Sequence, residues 1–78
     1  MNVDYRRGMA EIRADIVANV MEIYVAEGDT INVGDTIVLL ESMKMEIPVI
    51  AETAGKVIRL AVSVGDVVQE GDLIIESA

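Results

Sequence analysis

One lysine in this sequence occupies a position suited to covalent modification. Lys44 lies in the segment Glu41–Glu46, which separates two apolar runs, Ile37–Leu40 and Ile47–Ile50. Two apolar runs joined by a short polar segment are typical of a β-hairpin. At the tip of such a hairpin the amine of a lysine extends into solvent on a flexible stem, where a second protein can grip the turn and acylate it.

The residues around Lys44 distinguish it from an ordinary solubilising lysine such as Lys56. The segment Glu41–Glu46 contains no Gly, Pro, Asn or Asp, although tight hairpin turns favour these residues because their central positions need positive φ. Met43 and Met45 are flexible and apolar, which suits them to recognition by a partner, although a methionine near a hairpin end is often part of the core edge. The residues therefore predict an exposed modification site at Lys44.

The composition argues against catalysis by this chain alone. Its 78 residues form one small domain with a modest core, which leaves no room for the pocket of an enzyme. Cysteine and histidine are absent, so the chain lacks the usual metal ligands, the usual general base and any disulfide. We predict that the protein is not an enzyme and has no metal site.

The net charge of −8 restricts the classes of partner. Nucleic acids and anionic membranes attract basic surfaces, so neither is predicted to bind this chain, whereas basic proteins remain compatible with it. No apolar stretch approaches the roughly 20 residues that cross a bilayer. Residues 1–10 lack the apolar core of an export signal. We expect a cytoplasmic protein that is a monomer on its own.

An internal repeat organises the chain. Residues 18–37 align without gaps on residues 55–74, an offset of 37 residues, and seven of the twenty pairs are identical. Both halves carry two Gly-Asp dipeptides, which are Gly28-Asp29 and Gly34-Asp35 in the first half and Gly65-Asp66 and Gly71-Asp72 in the second. Each half is therefore predicted to form the same supersecondary unit.

Alternation of apolar and polar residues predicts strands rather than helices. Met21, Ile23 and Val25 alternate with Glu22 and Tyr24, and residues 58–62 repeat this alternation. We predict strands near residues 11–17, 20–26, 36–42, 45–52, 56–61 and 72–76, with short bridging strands near Ile31 and Val68. Two such units bury their apolar faces only against each other, which predicts an all-β sandwich or flattened barrel with approximate twofold symmetry.

Glycines at the ends of the apolar runs predict the turns. Five of them are predicted to be structural turn residues, namely Gly28, Gly34, Gly55, Gly65 and Gly71. The Asp that follows four of these glycines is expected to cap its turn by side-chain to backbone hydrogen bonds. Their spacing does not match the twelve-residue calcium loop.

Residues 1–10 fit the strand pattern less well. They contain Arg6 and Arg7 and show no alternation, so we predict a flexible tail over residues 1–10 and a single domain over residues 11–78. Met9 is an alternative start of the natural chain.

The tip segment resembles a known motif. Glu41-Ser42-Met43-Lys44-Met45-Glu46 is similar to the biotinylation motif of biotin carboxyl carrier proteins and biotinyl domains, in which the middle lysine carries biotin. The resemblance to the biotinyl/lipoyl attachment family extends from about residue 14 to residue 76. It also includes Glu27-Gly28-Asp29, Val33-Gly34-Asp35, Ala54-Gly55-Lys56-Val57, Val64-Gly65-Asp66 and Glu70-Gly71-Asp72. The small single-domain biotinylated proteins of actinobacteria and the biotin/lipoyl attachment proteins are especially similar.

This resemblance implies a fold and a set of site residues. The family folds as a flattened β-barrel of two four-stranded antiparallel sheets with pseudo-twofold symmetry. The thumb insertion of the bacterial acetyl-CoA carboxylase carrier is missing here, because Val20–Ala26 runs through that region without interruption. Lys44 is the implied site of covalent biotin attachment. The implied ligase recognition residues are Glu41, Ser42, Met43, Met45 and Glu46.

The resemblance also implies a function and partners. A biotin protein ligase would acylate Lys44, a biotin carboxylase would carboxylate the attached biotin, and a carboxyltransferase would transfer the carboxyl group to an acceptor. The carrier would contribute tethering, because a tethered group meets both active sites at high effective concentration. Glu41 and Glu46 would add negative charge that steers the tip toward basic surfaces.

Three alternatives differ from this prediction. A lipoyl carrier would share the fold and the lysine tip, with lipoate in place of biotin, but the usual Asp-Lys-Ala tip is absent. An unmodified interaction module with the same fold is a second alternative. A calcium-binding or hexapeptide β-helix is disfavoured, because two turns in each half are too few to stack.

Overall fold

The protein is built from β-strands. The computed structural model describes residues 2–4 and 9–78. The strands are β1 (Asn2–Asp4), β2 (Met9–Arg13), β3 (Ala18–Ile23), β4 (Thr30–Ile31), β5 (Thr36–Ser42), β6 (Met45–Ile50), β7 (Gly55–Leu60), β8 (Val67–Val68) and β9 (Leu73–Ser77). Among the described residues, no helix is long and apolar enough to cross a membrane.

The strands form two antiparallel sheets that repeat the same order. One sheet has the order β1-β2-β9-β7-β4 and the other has the order β6-β5-β3-β8. A shift of 37 residues along the chain relates β2, β9, β7 and β4 to β6, β5, β3 and β8. The prediction of two four-stranded sheets with approximate twofold symmetry is confirmed, and β1 adds a fifth strand to the edge of one of them.

The N-terminal segment, which precedes the residues aligned in the sequence repeat, contributes strands to one sheet. Residues 2–4 form β1 and pair with β2, which begins at Met9 and pairs with β9 from Ala10 onward. Regular pairing therefore starts inside the segment predicted as a tail. Residues 1 and 5–8 of that predicted tail lie outside the described residues.

In the described part of the chain, one hydrophobic cluster fills the space between the sheets. Its most deeply buried branched side chains are those of Ile31, Ile37, Val38, Val57, Ile74 and Ile75, each with 1% or less of its surface exposed. These residues come from both sheets, so neither sheet can bury its apolar face without the other. Full burial of each such side chain stabilises the fold by about 1.5–3 kcal/mol. Aliphatic side chains thus supply the burial that aromatic residues provide in other cores.

Within residues 9–78, four β-bulges interrupt the predicted alternation, and the repeat relates them in pairs. Met21 and Ile58 are extra residues in β3 and β7, and Ile37 and Ile74 are extra residues in β5 and β9. A bulge places two residues opposite one residue of the partner strand. Beyond the bulge, the residues that would otherwise face the core face solvent, and those that would face solvent face the core. Met21 was predicted on the apolar face with Ile23, but it is 39% exposed because the bulge turns it outward.

The Gly-Asp turns have one common geometry. Gly28, Gly34, Gly65 and Gly71 have φ values of 95°, 94°, 93° and 89°, which glycine adopts without steric cost. In each turn, the Asp after the glycine accepts a hydrogen bond of 2.8–2.9 Å from the backbone N–H three residues earlier. At these four sites the glycine lies in a turn and the Asp side chain caps it.

Gly55 differs from the other predicted turn residues. It begins β7 and is not among the glycines with positive φ. A Cβ atom at this position would lie 2.8 Å from the carbonyl oxygen of Ala78. The prediction of a turn role was wrong, because Gly55 instead permits the close approach of two backbone segments.

The strands β2 and β6, which the repeat relates, differ in what lies beside them. In β2, Glu11 pairs with Asn2 of β1. The equivalent position in β6 is Pro48, which is exposed at the edge of its sheet. Proline has no N–H to donate to a further strand, so Pro48 discourages additional pairing along β6.

Candidate functional site

The β5–β6 hairpin ends in a two-residue loop that contains Lys44. Ser42 pairs with Met45, which leaves only Met43 and Lys44 between the strands. Their φ values are 52° and 64°. Positive φ at both central residues is the pattern of a type I′ turn, whose twist matches that of the flanking strands. The loop therefore holds Lys44 at the outermost point of the hairpin.

The backbone of this loop is strained. Met43 and Lys44 are the residues other than glycine that have positive φ within the described part of the chain. A side chain in the left-handed region costs roughly 1–2 kcal/mol per residue. Strain of this kind persists where the surrounding structure imposes it, and it concentrates at functional sites.

The two methionines beside Lys44 are exposed to solvent. Met43 is 88% exposed and Met45 is 59% exposed, so neither belongs to the core edge. Lys44 is also exposed. Exposed methionines contribute little to folding, but their flexible, polarizable side chains adapt well to the surface of a binding partner. The hairpin therefore presents an amine between two apolar contacts.

Carboxylates flank the tip on both strands. Glu41 and Glu46 lie directly opposite each other in the β5–β6 ladder. Like charges in this arrangement destabilise a sheet, so the pair adds a second unfavourable local feature to the hairpin. The structure brings together all six residues predicted from the sequence: Glu41, Ser42, Met43, Lys44, Met45 and Glu46.

Buried residues hold the base of the tip in place. Leu40 pairs with Ile47 one step beyond the two glutamates, and Leu40 is 2% exposed. Strand β5 lies inside its sheet, with β3 on one side and β6 on the other. The exposed loop therefore rises from a rigid support, as a site that must be recognised by other proteins requires.

Two residues that interact with each other, Glu22 of β3 and Tyr24 just after it, were not identified from the sequence. The hydroxyl of Tyr24 donates a hydrogen bond to the carboxylate of Glu22. This hydrogen bond raises the pKa of Tyr24, with smaller contributions from desolvation and from the negative charges of Glu22 and Glu46. The sequence contained a signal for this contact: Glu22 and Tyr24 are two residues apart in a strand pattern, and residues at that spacing lie on one face.

Comparison with known proteins places the chain in a family. A family model described as "Biotin-requiring enzyme" matches residues 8–76. The chain belongs to the biotin/lipoyl attachment family. The match includes both halves of the repeat and the Lys44 hairpin, so the predicted family is confirmed.

Individual members of this family match most of the chain. A biotinylated protein TB7.3 homolog of Mycobacterium leprae is 66% identical over 67 residues, which are 85% of this chain and 94% of that protein. The biotin/lipoyl attachment protein of Bacillus subtilis is 38% identical over 65 residues, which are 83% of this chain and 89% of that protein. Both relatives are therefore small proteins of about the same extent.

A solved structure shows the same fold within a larger protein. A single-chain, multi-domain long-chain acyl-CoA carboxylase contains a region that matches with a TM-score of 0.83 and 32% sequence identity. The match covers 97% of this chain and 8% of the carboxylase. The chain is thus homologous to a small part of a carboxylase.

Proposed function

We propose that this protein is a biotin carboxyl carrier that holds biotin in an amide bond to the Nζ atom of Lys44. The observation that carries the proposal is the exposed two-residue loop, in which Met43 and Lys44 both have positive φ. The family match and the similarity to a biotinylated mycobacterial protein support biotin as the group attached. The carrier is proposed to be a cytoplasmic monomer between encounters with its partners.

The surroundings of Lys44 fit a tethered group rather than an enclosed one. The loop projects from the sheet, and Met43 beside it is 88% exposed. A biotin protein ligase can therefore bring an activated acyl-adenylate to the amine without rearranging the domain. In that step the Nζ–C bond forms, the bond between the acyl carbon and the phosphate oxygen breaks, AMP leaves and the amine releases one proton.

The residues beside Lys44 serve ligase recognition in this proposal. Met43 and Met45 supply apolar contacts, and Glu41 and Glu46 supply negative charge. Ser42 completes the segment on the β5 side of the loop. Apolar contacts that become buried give affinity, and charges at the rim mainly increase the rate of association. The strained loop places all of these groups in one fixed arrangement around the amine.

The proposed role after loading is to deliver biotin to two active sites. Bound biotin supplies the ring that accepts and releases a carboxyl group. The chain contributes a rigid hairpin and a flexible lysine stem, which keep the group near its partners at high effective concentration. The similarity to a region of an acyl-CoA carboxylase supports a biotin carboxylase and a carboxyltransferase as those partners. The chemistry is proposed to belong to these partners, and the carrier itself is not an enzyme.

Intact mass spectrometry after modification tests this proposal directly. The chain has two lysines, Lys44 and Lys56, so Lys44→Arg and Lys56→Arg form a matched pair that keeps the charge. Each protein is incubated with biotin protein ligase, ATP and biotin, and separately with lipoate ligase, ATP and lipoate. We expect one biotin increment on the wild type and on Lys56→Arg, and none on Lys44→Arg.

Other outcomes distinguish the alternative functions. A lipoyl increment without a biotin increment would make the protein a lipoyl carrier, and no increment in either reaction would make it an unmodified interaction module. The biotinylated chain then serves as bait in the extract of its source organism, with Lys44→Arg as the control. Recovery of carboxylase subunits is expected, and their absence would contradict the carrier role.

A further inference from the structure

The methionines within residues 9–78 differ in exposure, and the most exposed of them flank Lys44. Met43 is 88% exposed and Met45 is 59% exposed, whereas Met21 is 39% exposed and Met9 is half-buried. Thioether oxidation by peroxides follows the accessibility of the sulfur atom. Among residues 9–78, the hairpin tip is therefore where a peroxide meets methionine most readily.

We propose that Met43 and Met45 are sites of reversible oxidation, and that their sulfoxides prevent the loading of Lys44. In this step hydrogen peroxide transfers one oxygen atom to the Sδ atom of the methionine. The sulfur is oxidised by two electrons, an S=O bond forms, the O–O bond breaks and water leaves. The inference rests on the proposed function, because it concerns the surface that the ligase grips.

The location of the two side chains explains why oxidation would alter recognition but not folding. Met43 lies in the loop and Met45 is the first residue of β6, and both are more than half exposed. The packing of the domain comes from core residues below them, such as Leu40, which is 2% exposed. The modification therefore changes the outer surface of the hairpin without removing packing from the domain.

The chemical change is large on the scale of the recognition surface. A sulfoxide replaces a flexible apolar thioether with a polar, chiral group. The remaining neighbours of Lys44 in the segment are Glu41, Ser42 and Glu46, which are polar. Oxidation of both methionines therefore removes the apolar character of the tip. Methionine sulfoxide reductases reverse the modification, and exposed sulfoxides are accessible to them.

The test combines oxidation mapping with a ligase assay. The unmodified chain is treated with hydrogen peroxide, the peroxide is removed with catalase, and peptide mass spectrometry locates each sulfoxide. Initial rates of biotinylation are then measured by intact mass before oxidation, after oxidation and after reduction by methionine sulfoxide reductases. We expect sulfoxides to form first at Met43 and Met45, and the rate to fall by about tenfold or more, equivalent to about 1.4 kcal/mol of lost transition-state binding. Reductase treatment should restore the rate.

Two variants assign the effect to the tip. The biotinylation rate of Met43→Leu/Met45→Leu, whatever its starting value, should be unaffected by peroxide, whereas Met21→Leu should lose its rate as the wild type does. Equal sensitivity of the double variant would contradict the inference, and so would an unchanged wild-type rate after both tip methionines are oxidised. Preferential oxidation of Met21 or Met9 would also contradict it. If the untreated chain is not biotinylated at all, the proposed function fails together with this inference.

Discussion

The four Gly-Asp turns and the Met43-Lys44 loop both reverse the chain with positive φ, but they use different kinds of residue. Each Gly-Asp turn places glycine at φ near 90° and caps itself with an Asp side chain. The Met43-Lys44 loop also needs positive φ, but it uses two residues with side chains and is flanked by opposed glutamates. The first kind of turn is made of residues that suit its backbone, and the second is not.

This difference separates turns that stabilise the fold from the loop that we propose carries biotin. The Gly-Asp turns occur twice in each half of the repeat, as expected for elements that the fold itself requires. The Met43-Lys44 loop occurs once, because the equivalent strands of the other half, β9 and β2, are the last strand and the second strand and are not joined by a loop. Stability lost at the loop is compensated by the core that both halves share.

Replacing a turn glycine is expected to change stability more than any other substitution considered below. Gly34→Ala should lower the free energy of unfolding by about 1–2 kcal/mol, because alanine must adopt the left-handed backbone conformation. No atom lies within 4 Å of the position that the new Cβ would take, so the cost is conformational and not steric. Urea unfolding of both proteins measures the difference.

A second substitution at the same turn tests the explanation. Gly34→Asn should lose less stability than Gly34→Ala, because asparagine adopts positive φ more readily. If the larger asparagine side chain costs as much or more, backbone conformation is not the cause of the loss.

A smaller effect of opposite sign is expected at the tip. Met43→Asn should raise the free energy of unfolding by up to about 1 kcal/mol, because asparagine suits the first central position of a type I′ turn. Under the proposed function, in which the ligase contacts Met43, the same change should slow biotinylation by up to about tenfold. Urea unfolding and the initial rate of biotinylation measure the two effects.

Met45→Asn is the matched control for this variant. Met45 lies in β6 and not at a positive-φ position. Asparagine is a poor strand residue, so this change should lower stability instead of raising it. If both variants shift stability in the same direction, then strain in the loop does not set the stability of the hairpin.

The smallest expected effect concerns the ionisation of Tyr24. Its pKa is raised first by the hydrogen bond to Glu22, then by desolvation and by the charges of Glu22 and Glu46. The folded chain thus favours the neutral phenol, so this contribution to stability is present below the pKa of unfolded tyrosine and is lost as pH rises through the folded pKa. An absorbance titration in a Tyr5→Phe background should show a lower pKa for Tyr24 in Glu22→Gln.

A second variant connects this titration to the tip. Glu46→Gln should lower the pKa of Tyr24 by less than Glu22→Gln does, because Glu46 acts only through its charge. An equal or larger shift in Glu46→Gln would mean that the hydrogen bond is not the main cause.

Most of the fold could be predicted because it depends on local patterns that occur twice. The offset between Gly28 and Gly65 gave the repeat, and the repeat gave two similar sheets. The bulges at Met21 and Ile58 could not be predicted, because a bulge depends on the register with a partner strand that local alternation does not contain. The role of Gly55 was missed for a similar reason, since it depends on Ala78 at the far end of the chain.

The sequence by itself determined the repeat, the four Gly-Asp turns and the placement of Lys44 between two apolar runs. These features follow from residue type and spacing, which act over a few neighbouring positions. Only the tertiary structure decided that Met43 and Lys44 both take positive φ and that Glu41 faces Glu46. Pairing of Ser42 with Met45 leaves just two residues to close the hairpin, and a loop of that length imposes its backbone conformation on whichever residues occupy it.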